Sequence, residues 1–247
     1  MENDDAPRST PARAALLALA LGAAGIAVVT GPFIWMARRA EARTTALAPV
    51  THDDAGSTTT AEIADAGKKH AVLRIVQTTE TPAPPARLHI AIAPTKQIER
   101  FEWFLEKATE IGVQEITPLL CRRSERSAIR LDRLEKILVS AMKQSLQSRL
   151  PQLNPLTPCA ALIRRAAAPQ RFIAWCADTP LPQLCAVLQP AADALILIGP
   201  EGDFAPEEIA LAQENGFTGV RLGPTRLRTE TAGLVAVMAF RQSGDNR

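Results

Sequence analysis

Tyrosine is absent from this chain, and aromatic residues make up only 4% of its 247 residues. A protein that stacks single-stranded bases on aromatic platforms carries more of them, so base stacking is not the organising principle here. Charge of one sign is also missing: 28 Lys and Arg stand against 26 Asp and Glu, a formal net charge of +2. No global basic field announces nucleic acid, and any RNA contact must come from local patches. The four cysteines, Cys121, Cys159, Cys176 and Cys185, include no CxxC pair, and no histidine is grouped with them. That spacing points away from a metal site and toward reduced, partly buried thiols in a cytosolic setting.

What the chain does have is apolar content, 47% of its residues, which is enough for a full core. Residues 14–37, AALLALALGAAGIAVVTGPFIWMA, contain no charged side chain. As a helix rising about 1.5 Å per residue, this run is long enough to span a bilayer. Arg8 and Arg13 precede it, and Arg38, Arg39 and Arg43 follow it. The excess on the C-terminal side places the rest of the chain in the cytoplasm. Three readings stay open: an uncleaved tether touching the membrane through residues 14–37, a secretory signal, and a start that is not native to the domain.

Residues 40–60 read as linker, rich in Ala, Thr and Asp. AEIADAGKKHAVLRIVQ predicts two short strands joined at Gly67, Lys68 and Lys69. The Pro-rich TPAPPAR, residues 81–87, is the clearest boundary. The organisation read from this is an N-terminal segment over 1–50, a β segment over 51–80 and a main domain over 86–247.

From Leu88 onward strands and helices alternate. LHIAIAP, VQEITPLL, RFIAWC, ALILIG and FTGVRLG read as strands. QIERFEWFLEKATEIG spaces Phe101, Phe104, Leu105, Ala108 and Ile111 as a helix would, with Gly112 just past its end. LDRLEKILVSAMKQSLQSRL predicts a long amphipathic helix stopped by Pro151, and APEEIALAQENG a helix opened by Pro206. Trp103, Trp175 and Phe172 read as core residues. The alternation predicts an α/β domain with a mostly parallel sheet.

In such sheets ligands bind beyond the carboxyl ends of the strands. Two Gly-Pro loops stand there, Gly199-Pro200-Glu201-Gly202-Asp203 and Gly223-Pro224-Thr225-Arg226-Leu227-Arg228. Neither is a G-x-G-x-x-G or G-x-x-x-x-G-K-[ST] cradle. Either loop alone could be an ordinary turn, but two on consecutive strands point to a site.

The pair IGPEGDF and LGPTRLRTETA resembles the RsmE family of SPOUT methyltransferases, which methylate N3 of a uridine in small-subunit (16S) ribosomal RNA. KQIERFEWFLEKATEIGVQEITPL, SERS and SAMKQSLQSRLPQL agree with that family in order, so the resemblance runs from about residue 60 to the C-terminus. It implies a parallel sheet with a C-terminal trefoil knot, S-adenosylmethionine as cofactor, a homodimer, and 16S rRNA, in the assembled small subunit, as partner. It also implies that the cofactor contacts Leu197, Ile198, Gly199, Gly202, Leu222, Gly223, Leu227 and Arg228. Two departures stand out. Ala205 occupies the helix N-cap, where the family has Ser or Thr, although Asp203 could partly compensate. The family's N-terminal PUA-like RNA-binding β domain is represented only by a truncated or degenerate remnant at 51–80.

For the chemistry, a cation must stabilise the charge that develops on the uracil carbonyls as N3 loses its proton. Arg228 is the candidate; its alternative is phosphate contact or structural pairing with Glu230. Glu230 is the candidate general base, its alternative being a helix-start carboxylate. Lys96, Arg100, Arg122, Arg123 and Arg126 are the candidate phosphate contacts. Two other functions remain open: a noncatalytic RNA-binding protein that keeps the fold, and a membrane-anchored interaction protein.

Overall fold

The computed structural model describes residues 20–21, 26–30, 50–52, 56–66, 70–177 and 179–245. It divides into two compact units, residues 1–83 and 84–247.

The first unit is one antiparallel sheet of β1 (Ala20–Leu21), β2 (Ile26–Thr30), β3 (Val50–His52), β4 (Ser57–Ala66) and β5 (His70–Glu80), in the order β1-β2-β5-β4-β3. The expected pair of short strands is in fact 10 and 11 residues long. The pairing breaks register at Thr60/Ala61 and Ile63/Asp65, where bulges bend it. The predicted turn at 67–69 lies outside the described residues. A helix through residues 14–37 is not what the described part of that run forms. Ile26–Thr30 is a strand, with Val28 opposite Val72 of β5. Four of its five residues, Ile26, Val28, Val29 and Thr30, are β-branched, which suits a pleated surface better than a helix. Ala20–Leu21 pairs with that strand as β1, and the remainder of 14–37 lies outside the described residues. The linker reading of 40–60 likewise gives way to β3 and the start of β4. No helix among the described residues is long and apolar enough to cross a membrane.

The second unit is an α/β domain around a parallel sheet. Its strands are β6 (Leu88–Ile92), β7 (Glu115–Leu120), β8 (Gln152–Leu153), β9 (Thr157–Pro158), β10 (Gln170–Ala174), β11 (Ala194–Ile198) and β12 (Thr218–Val220). They run in the order β12-β10-β11-β6-β7-β8, with β9 pairing further along β7. Every pairing is parallel. The helices are α1 (Ile98–Ile111), α2 (Leu131–Gln144), α3 (Cys159–Arg165), α4 (Leu184–Val187), α5 (Pro206–Glu214) and α6 (Thr229–Asp245).

The central strand β11 is buried along its whole length, and its side chains alternate between two cores. Ala194, Ile196 and Ile198 join Phe101, Phe104, Leu134, Leu138, Val237 and Phe240 under α1, α2 and α6. Leu195 and Leu197 join Cys121, Cys159, Ile163, Phe204 and Ala212 under α3 and α5. Helices thus cover both faces, as a parallel sheet demands. Trp103 is not core: it falls beside the apolar stripe of α1 and stays 45% exposed. Phe172 is buried as expected.

Helix α2 ends at Gln144, short of the Pro151 stop. Leu146 turns to φ 57, and the Gln147 side-chain amide donates to the carbonyls of Thr109 and Glu110 at the end of α1. Those two tertiary bonds replace the helical continuation.

Candidate functional site

Because β10, β11 and β12 are parallel, their carboxyl ends open on one edge. A cavity of about 1040 Å³ lies there, walled by residues 174–177 and 179–181, 198–203 and 220–229, with Ala232 of α6. That exceeds the space a single drug-sized ligand requires. Ile198, Val220, Leu222 and Ala232 supply apolar wall; Arg226 and Arg228 face it with positive charge, Glu201 and Asp203 with negative.

Of the eight positions expected to hold cofactor, seven line this cavity: Ile198, Gly199, Gly202, Leu222, Gly223, Leu227 and Arg228. Leu197 does not. Strand alternation turns it into the opposite core, beside Phe204 and Cys159. Among these glycines, Gly199 is the one whose smallness the packing requires. A Cβ at Gly199 would come within 3.1 Å of the Phe204 ring, whereas at Gly223 it would meet nothing within 4 Å.

The strained backbone belongs to Asp203, at φ 62. An Asp tolerates that conformation better than most residues. Its Oδ1 accepts the Phe204 amide at 2.8 Å and its Oδ2 the Cys176 amide at 2.9 Å, so it ties the loop after β11 to the loop after β10. Asp203 therefore braces the cavity and does not cap α5. Ala205 caps that helix without a side-chain acceptor, and Glu208 returns half of a capping box by accepting the Ala205 amide at 2.9 Å. A third brace was not foreseen from the sequence. The buried Thr229 hydroxyl donates to the Gly199 carbonyl at 3.1 Å, joining the loop after β11 to the start of α6. Trp175 was expected in the core, but it also lines the cavity and overlies Gly219.

Glu230 is buried and does not line the cavity; its Oε1 stands 3.6 Å from Arg100 Nη1. Arg228 is exposed on the cavity wall. The remaining basic residues are largely engaged. Arg123 donates to the Gly202 and Phe204 carbonyls, and Arg126 to those of Thr95 and Lys96. Arg122 pairs with Glu207 at 3.3 Å and Lys96 with Glu125 at 2.7 Å. The Glu125 hydrogen bond holds the Lys96 ammonium above its usual range. Arg123 and Arg126 are thus struts for the loops, a role that a run of arginines in sequence does not announce.

Residues 82–241 match the family model described as the RNA methyltransferase domain. The chain belongs to this family. Among RNA methyltransferase relatives, Ribosomal RNA small subunit methyltransferase E of Rickettsia conorii is 27% identical over 192 residues, 75% of this chain and 77% of that protein. Other curated relatives of the same name, from Buchnera aphidicola and Mycobacterium bovis, are matched over only 63% and 64% of their own length. The crystal structure of a probable rRNA-methyltransferase from Porphyromonas gingivalis is 42% identical, with a TM-score of 0.74 over 77% of this chain and 82% of that one. Ribosomal RNA small subunit methyltransferase E from Neisseria gonorrhoeae, solved bound to S-adenosyl methionine, is 25% identical, with a TM-score of 0.78 over 92% and 96% of the two chains. The family's α/β fold with a parallel sheet is the fold described above.

Proposed function

We propose that this protein transfers the methyl group of S-adenosylmethionine to N3 of a uridine in small-subunit (16S) ribosomal RNA. The observation that carries the reading is the cavity itself. Both Gly-Pro loops converge on it, within a chain that matches the RNA methyltransferase family over residues 82–241.

The residues present fit the cofactor. Ile198, Val220, Leu222 and Ala232 offer an apolar wall for a purine, and the open face of Gly223 lets backbone approach closely. When bound, S-adenosylmethionine supplies an electrophilic methyl carbon on a sulfonium sulfur. The chain's own residues orient and stabilise. Arg228, exposed on the cavity wall, would donate to a uracil carbonyl as N3 loses its proton, a charge-assisted bond that strengthens as charge develops. Glu230, held against Arg100 in the first turn of α6, acts as the helix-start carboxylate and positions that arginine. By orienting the uridine and the cofactor together, the cavity walls would supply much of the rate.

The reading extends to assembly. β12 lies outside β10 at the sheet edge, and α6 then returns to pack on β6, β11 and α1. That path supports a knotted SPOUT arrangement. Trp103 on α1 and Met238 on α6, large apolar side chains exposed at 45% and 40% on two helices that pack together, support a homodimer. The antiparallel sheet of the first unit supports the PUA-like, RNA-docking role. Exposed Arg122 and Lys96 are the phosphate contacts, and the place of action is the cytoplasm, with the assembled small subunit.

The test is direct. Small subunits lacking the modification, incubated with purified protein and S-adenosylmethionine, should gain 3-methyluridine, read by mass spectrometry of digested 16S rRNA. No 3-methyluridine on either subunits or free 16S rRNA would end the proposal.

A further inference from the structure

Behind the wall formed by residues 198–203, three side chains that methyl transfer does not use come together. Cys121 follows β7, Cys159 opens α3, and Glu208 stands in the first turn of α5. The two thiols are 4% and 1% exposed. Both sulfur atoms and a Glu208 carboxylate oxygen lie within 4.8 Å of one another. The Glu208 carboxylate is already aimed: Oε1 accepts the Arg122 amide and Oε2 the Ala205 amide, each at 2.9 Å. A carboxylate has about four acceptor positions, so a free one remains on each oxygen.

We propose that Cys121, Cys159 and Glu208 form a binding site for a thiophilic divalent metal ion, Zn²⁺, with water as fourth ligand. In tetrahedral zinc the bonds are about 2.3 Å to sulfur and 2.1 Å to oxygen, which sets ligand atoms roughly 3.6–3.8 Å apart. The observed clustering accommodates that set with small side-chain adjustments. Two thiolates select zinc over magnesium or calcium, which take oxygen ligands. Backbone amides that fix a ligating carboxylate are the outer-shell support such sites carry. On binding, each thiol releases its proton to solvent.

The site is wired to the cavity. Arg123, two residues beyond Cys121, donates to the carbonyls of Gly202 and Phe204, and Glu208 holds the Ala205 amide. An ion joining β7, α3 and α5 here would stiffen the loop that walls the cavity. The ion is structural; it does not touch the reacting atoms.

The experiment uses the full chain, purified reduced and stripped with chelator. Zn²⁺ binding is counted by elemental mass spectrometry, and Co²⁺ is added as a spectroscopic stand-in. One metal per chain and a thiolate-to-cobalt charge-transfer band are expected. C121S and C159S should each abolish both, and E208Q should weaken Zn²⁺ affinity at least tenfold. C176S and C185S, at the two exposed cysteines, should keep full stoichiometry. Absence of stoichiometric binding, or binding that survives C121S and C159S, overturns the site. So does a chelator-resistant loss of two titratable thiols in the metal-free protein, which means a disulfide instead. Should the serine variants fail to fold, the wild-type protein decides: Zn²⁺ must raise its melting temperature, and an unchanged one overturns the proposal.

Discussion

Replacing Thr229 by Val removes one oxygen and almost no volume, which makes it a sharp probe of how the cavity is held. The hydroxyl is buried and donates to the Gly199 carbonyl at 3.1 Å. Losing that bond and leaving a buried acceptor unpaired costs about 1–3 kcal/mol. Burying one more methyl returns about 0.8 kcal/mol. Val and Thr have similar helix propensities, so that contribution cancels. The net loss is about 1 kcal/mol, within a range of about 0.2–2.2 kcal/mol. In a domain of this size each kcal/mol lowers the melting temperature by about 2–4 °C, so a drop of about 2–4 °C is expected. The bond joins two walls of the cavity, so affinity should suffer as well. If the whole loss falls on binding, S-adenosylmethionine affinity weakens about fivefold, and about 40-fold at the upper bound. Calorimetric titration and thermal unfolding of Thr229→Val and Thr229→Ser read both quantities. The serine variant keeps the hydroxyl and should bind like wild type. The bracing argument fails if Val binds and melts as wild type does, or if Ser is as impaired as Val.

Gly233→Ala should destabilise, although alanine favours helix by about 1 kcal/mol. The new Cβ would lie 2.6 Å from the Phe104 ring and 2.8 Å from Ile92, both fully buried, and overpacking costs typically 1–3 kcal/mol. A melting temperature above wild type would contradict this. Burial holds the His89 pKa below its ordinary value, against the opposing pull of the Glu115 carboxylate. The 3.6 Å His89–Glu115 contact is therefore not an ion pair at neutral pH. The unfolded chain then binds a proton first as pH falls through about 6.5, so stability decreases from there downward until the folded-state histidine also protonates. His89→Gln should flatten that part of a melting-temperature profile, and an unchanged profile would assign the slope elsewhere. Arg122→Glu should weaken RNA binding with cofactor affinity unchanged, whereas Arg123→Glu should weaken both, because it also removes the struts to Gly202 and Phe204; parallel titrations separate the two. Arg228→Ala should lose methylation while melting like wild type, and wild-type-like turnover would remove Arg228 from the mechanism.

The longer elements from Leu88 onward are legible because periodicity reports which face is buried, and here both faces of the sheet are; the short β8, β9, α3 and α4 are too brief to show a period. The two Gly-Pro loops were legible as a site because glycine and proline mark backbone constraint. What periodicity does not report is competition from outside the segment. Helix α2 stops early because Gln147 finds the carbonyls of Thr109 and Glu110, 38 and 37 residues away. The apolar run at 14–37 has the length of a spanning helix, yet Ile26–Thr30 finds a strand partner in β5. Leu197 and Ile198 are neighbours in sequence, yet adjacent strand residues face opposite sides, and only Ile198 reaches the cavity. The cysteines were judged by spacing along the chain. Cys121 and Cys159 meet because β7 and β9 lie side by side in the sheet, with Cys159 directly after β9.

The order in which the cavity walls are made has a consequence for synthesis. A ribosome emits β6, β7, β10 and β11 first, and the third wall, residues 220–229, follows all of them. The helix that seals it, Thr229–Asp245, follows in turn. A ligand stabilises only the state that binds it. Cofactor therefore has little to grip until synthesis has passed α6, and cannot reward a chain that stops before it. A frameshift before residue 229 removes the third wall and with it any stabilisation by the cofactor.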